Sequence, residues 1–177
     1  MPFTRLHTII ARIALGVLLI GFAPVAVHAA GVLNLQKQAP FAKDVAVPEA
    51  VKKECDLENK IPDYVRINAE GNFDKVVLID SASAGTPGKA LAMKITGLMG
   101  KGGGAWSGPK QITIEGTLWD NGKVAGSFLA TRFSGGGAFG GYKGTCAILN
   151  RCAKELGEDV AKWLTQPSMN ARLGDAR

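Results

Sequence analysis

The clearest period in the chain is helical. Leu149, Cys152, Leu156, Val160 and Trp163 recur at spacings of three and four residues, which predicts an amphipathic helix over 145–164 with this stripe in the core. Thr145 is a good N-cap and Gln166-Pro167 a stop, leaving a loose tail to Arg177. Ala153, Gly157 and Ala161 flank the stripe, and residues this small let a neighbouring element approach closely. Upstream the period changes to two. Leu91, Met93 and Ile95 alternate with Ala92, Lys94 and Thr96, and Ile112, Ile114 and Leu118 alternate with Thr113, Glu115 and Thr117, the pattern of half-buried strands.

Asn121-Gly122 predicts a tight hairpin between strands 111–120 and 123–133. A two-residue loop pairs Leu118 with Ala125 and Ile114 with Leu129. It puts Trp119, Val124 and Phe128 together on the other face, as a candidate exposed surface. The apolar run from Lys75 to Asp80 reads as a buried strand. Pro48 opens a helix to about Lys60, and Pro62 a second helical stretch to Ala69, with a strand through Tyr64–Ile67 as the alternative. Residues 30–47 carry few signals beyond a short strand near 41–47. Helices, then strands, then a helix predict an α+β fold: a mainly antiparallel sheet of about four to five strands with N- and C-terminal helices packed on it.

The first segment breaks both periods. Arg5 and Arg12 precede an apolar run of eleven residues, Ile13 to Ala23, and Val27-His28-Ala29 offers small residues for cleavage. The run is short for a membrane span and right for a secretory leader. The expected division is a leader over 1–29, cleaved after Ala29 or Ala30, and one periplasmic domain over 30–177. An uncleaved anchor is the weaker alternative, and no lipid-acceptor Cys follows the run.

That cut changes the chemistry. It removes two of the 21 basic residues and none of the 15 acidic ones, lowering the net charge from +6 to +4. The mild excess favours contact with an anionic envelope component over nucleic acid. It also removes both histidines, His7 and His28. Histidine-based triads, dyads, metal sites and general bases are then excluded, and no cofactor or metal is expected.

Three cysteines remain, Cys55, Cys146 and Cys152. In an oxidising compartment two should pair. Cys146 and Cys152 lie about 9 Å apart along one helix, too far for a bridge. Cys55 therefore pairs with one of them: Cys146 is favoured, on the flank that would meet a neighbouring helix, with Cys152 the alternative.

Two segments, 97–108 and 135–144, hold six glycines each. Neither is a phosphate loop: Gly100-Lys101 is followed by Gly102, and Gly88-Lys89 by Ala90, where a Ser or Thr is needed. Both carry aromatic residues that a plain spacer does not need. If strands 91–97 and 123–133 run in the same direction, Lys101, Trp106, Phe139, Tyr142 and Lys143 form one surface, a candidate for partner binding.

The segment Lys89–Leu164 resembles an uncharacterised family of small Gram-negative periplasmic proteins and lipoproteins. The resemblance lies in Gly-Gly-Gly-Ala-Trp-Ser-Gly-Pro-Lys110, the hairpin around Asn121-Gly122, Ser134-Gly-Gly-Gly, Gly144-Thr-Cys-Ala-Ile-Leu-Asn-Arg-Cys152, and the Glu54-Cys55 helix. In layout it is more distantly similar to envelope-assembly domains such as the curli secretion lipoprotein and the N-terminal domain of TolB. The resemblance implies an envelope protein without established catalysis.

Three functions compete. The first is a non-catalytic binding or envelope-assembly module presenting the two loops to an envelope protein, an anionic envelope component or a second copy. The second is a thiol-dependent redox protein using Cys146 or Cys152. The third, and weakest, is a glycan hydrolase built on Asp80, Glu115 and Asp120.

Overall fold

The computed structural model describes residues 31–101, 106, 108–135, 137 and 142–176. The leader and Phe139 lie outside the described residues. The elements in chain order are β1 (Val32–Gln36), α1 (Glu49–Glu54), α2 (Leu57–Ala69), β2 (Lys75–Ile79), β3 (Lys89–Met99), β4 (Lys110–Asp120), β5 (Lys123–Ser134), α3 (Thr145–Trp163) and β6 (Ala171–Gly174). The class is α+β, and the sheet has six strands in the order β2-β1-β3-β4-β5-β6.

The sheet is mixed, which corrects the expectation of a mainly antiparallel one with four to five strands. The long β3–β4–β5 meander is antiparallel. Parallel pairs flank it: β1 with β2 and β3, and β6 with β5. The lysine-led run at residue 75 therefore becomes β2, a half-exposed edge strand and not a buried one. The strand expected near 41–47 shrinks to a single bridge, Phe41 to Ile95.

One face of the sheet is apolar: Leu33, Leu35, Leu91, Met93, Ile95, Ile112, Ile114 and Leu118 are buried. It packs against α2 and α3 in one core. The stripe of α3 is buried as its period requires, and Ala153, Gly157 and Ala161 are buried beside it. A Cβ at Gly157 would lie 2.5 Å from the Cβ of Tyr64 on α2, so the two helices meet where only glycine fits.

The helix expected from Pro48 is broken. Cys55 caps α1, and Asp56 adopts a left-handed conformation (φ 53°) before α2 begins. Pro62 lies inside α2 instead of opening it. Having no N–H, it leaves the Glu58 carbonyl without its helical donor. The Ala39 N–H donates to that carbonyl at 2.8 Å, which ties the chain after β1 to the helix. Among the described residues no helix is long and apolar enough to cross a membrane.

The hairpin turns at Asn121-Gly122, but its register differs from the simple one. Trp119 pairs with Val124, whereas Leu118 pairs with Gly126 and Ile114 with Ala130. Ala125 is the extra residue of a β-bulge, and one extra residue moves every later side chain to the other face. Phe128 therefore leaves the predicted surface with Trp119 and Val124 and enters the core, 4% exposed. There its ring covers Gly116 on β4, where a Cβ would lie 2.4 Å from it. It meets Trp163 edge to face, with centroids 4.9 Å apart.

Candidate functional site

Because β3 and β5 are both antiparallel to β4, the exits of β3 and β5 and the start of β4 share one end of the sheet. Both glycine-rich segments open from that end. The first leaves β3 through Gly100, which is buried; a Cβ there would sit 3.2 Å from Leu149 on α3. The Thr145 hydroxyl, at the start of α3, donates to the Lys101 carbonyl at 3.0 Å. This bond joins the root of one segment to the end of the other. Thr145 is thus the first residue of α3, and Gly144 takes the N-cap position.

Two glycines here require their residue type: Gly108 has φ 88° and Gly137 φ 65°, where side chains are strained. Behind them lies Lys110, 1% exposed, whose ammonium donates to the Gly108 carbonyl at 2.8 Å. Burial lowers its pKa. Lys110 was not among the candidates read from sequence. Its parity with Ile112, Ile114 and Leu118 was the available signal, since alternate residues of a strand share a face.

Of the expected surface, Trp106 and Tyr142 are 85% and 93% exposed; Lys143 follows Tyr142 directly, and Lys101 precedes Trp106 in the same glycine-rich segment. Two exposed side chains at the same end escaped the sequence reading. Met99 pairs with Gln111, and Gln111 with Phe133, so Met99 and Phe133 flank one row on the face away from the helices. They are 46% and 58% exposed. The charge pattern also carries information. Residues 97–113 and 131–151 contain Lys101, Lys110, Arg132, Lys143 and Arg151, and no Asp or Glu. Arg132 is engaged on the helix side of β5, bonded to Asp159 at 2.6 and 2.8 Å and near Glu155 and Asp175; Asp159 raises its pKa.

Cys55 and Cys146 form a disulfide, with Cα atoms 4.9 Å apart. It fastens the end of α1 to the first turn of α3, directly behind the second glycine-rich segment. Cys152 is free and buried. Burial, and then the charge of Glu155, push its pKa up to about 11. That is the opposite of an activated thiolate.

The three acids considered for hydrolysis lie apart, each on its own lysine. Asp80 binds Lys37, whose hydrogen bond and charge lower the carboxyl pKa. Glu115 binds Lys94 at 3.1 Å, and Asp120 lies 3.5 Å from Lys89. Of the expected exposed face, Trp119 is half-buried and Val124 exposed. Further along, the face away from the helices forms an open trough of about 590 Å³, lined by Gln36, Lys94, Glu115, Thr117, Leu129 and Arg172 among others.

No family model matches the chain, so the resemblance to an uncharacterised envelope family stays a resemblance. No curated protein matches it either. Among solved structures it is similar to the PelC dodecamer from Paraburkholderia phytofirmans, at 14% identity over 73% of this chain and 87% of that one, with a TM-score of 0.46. A point variant of the same dodecamer gives 13% identity over 76% and 91%, with a TM-score of 0.44. A likeness at this level says nothing about what this chain does.

Proposed function

We propose that the chain is a non-catalytic binding or assembly module of the periplasm, and that the glycine-rich end of the sheet is its recognition surface. One observation carries this reading. Two segments free of carboxylates, joined by the Thr145–Lys101 bond, hold out Trp106 and Tyr142 almost fully exposed. Rings held in water cost solvation and contribute most when a partner covers them. The disulfide fits an oxidising compartment. The redox alternative gains nothing from Cys146, which is bonded, or from Cys152, which is buried with a raised pKa.

Photocrosslinking in the native cell tests the proposal. A photoreactive residue at position 106 or 142 should give a discrete adduct. One at 67 should give none, because Ile67 is exposed on α2, away from this end. Adducts from 67 alone, or none from 106 and 142, would overturn it.

A further inference from the structure

We infer that the partner of this end is the surface of an anionic phospholipid bilayer, an inference that rests on reading the end as the recognition surface. Three features meet there. Trp106 and Tyr142 are amphipathic rings, the type that settles at the membrane–water boundary. Met99 and Phe133 add exposed apolar groups in one row across β3, β4 and β5. Lys101, Lys143 and Arg151 add positive charge in segments that hold no acid. Glu155 and Asp159 are drawn to Arg132 on the helix side, and Asp175, also near Arg132, accepts the Phe133 N–H at 3.0 Å.

Chemistry favours a bilayer over a folded protein. The segments offer rings, ammonium groups and glycines, and no carboxylate to pair with a partner's cations. A protein interface rewards fixed, mutually matched side chains. A bilayer asks only for apolar area at the acyl boundary and positive charge at the headgroups. The contact inferred is that of rings and ammonium groups with the headgroup boundary.

Flotation of the purified mature protein with vesicles tests this. One set is phosphatidylcholine alone; the other is an equal mixture with phosphatidylglycerol. Binding is expected to the mixture only, and to weaken sharply in about 0.5 M salt. Each lysine near an anionic surface contributes about fivefold in affinity. Lys101→Gln with Lys143→Gln should therefore weaken binding roughly twentyfold. Trp106→Ala should weaken it roughly tenfold through lost apolar contact. Val124→Ala, at the opposite end of β5, should leave it unchanged, and far-ultraviolet circular dichroism confirms folding of each variant.

Equal binding to neutral vesicles, or binding unmoved by all three substitutions, would overturn the inference. So would absence of flotation. If flotation fails while position 106 crosslinks to an envelope protein or glycan, the lipid assignment falls and the recognition surface stands. If both fail, both fall.

Discussion

Removal of the Cys55–Cys146 bridge should unlatch the molecule without reorganising its sheet. The bridge joins residues 91 apart, and cross-linking a loop of that length lowers the entropy of the unfolded chain by an amount worth about 4–5 kcal/mol at 25 °C. Native bridges removed from small secreted domains cost about 2–5 kcal/mol, so the expected loss for Cys55→Ala with Cys146→Ala is about 3–5 kcal/mol. Cys55 is itself buried, and its lost sulfur contributes to the upper end. With a urea m-value of about 2 kcal/mol/M, the unfolding midpoint should fall by about 2 M. Wild-type protein in reductant should move most of the same way. A shift below about 0.5 M for both would refute the reasoning. It would mean either that the bridge does not form in the native protein or that the unfolded chain is already constrained.

Phe128→Ala should cost about 3–5 kcal/mol in chemical denaturation, because the ring fills the space over Gly116 and against Trp163. Trp119→Ala, on the other face, should cost less, and the reverse order would disprove the bulge at Ala125. Arg132→Gln strips one cation from Asp159, Glu155 and Asp175 and should cost about 2 kcal/mol at pH 7. An unchanged midpoint at pH 7 would contradict the pairing. Cys152 should resist iodoacetamide in the native state at pH 8 and react on unfolding. Its folded pKa is raised to about 11 from 9.0, so its contribution to stability is present below pH 9 and lost as pH rises toward 11. Wild type should then lose stability faster than Cys152→Ala over that range, and parallel curves would refute the raised pKa.

Elements with a full period of their own were legible. The α3 stripe, the alternation in β3 and β4, and the Asn121-Gly122 turn appear in the structure where the pattern puts them. Elements that owe their existence to a neighbour were not. β6 has four residues, and its place depends on parallel pairing with β5 and on the Asp175 carboxylate accepting the Phe133 N–H at 3.0 Å. β1 is five residues long, with parallel partners that lie far along the chain on both sides. The break at Asp56 depends on a single left-handed residue that no hydrophobic pattern records. Phe128 lies in the core for a similar reason: Asn121-Gly122 marks the turn, but a bulge three residues past it is invisible in alternation alone. At the candidate site, Trp106 and Tyr142 were recognisable as rings among glycines. Met99 and Phe133 carry no such signal, and only their places at the ends of β3 and β5 reveal their exposure.

The central claim is that the end carrying Met99, Trp106, Phe133 and Tyr142 is where this protein meets its partner. Amide hydrogen exchange by mass spectrometry, on the mature protein with and without envelope isolated from its native cell, asks that question directly. Exchange should slow in peptides spanning 97–111 and 131–148, with Ala92–Lys94, Glu115–Thr117 and Ser127–Leu129 unchanged. Protection confined to those three stretches, which line the open trough, or no protection anywhere, would contradict it.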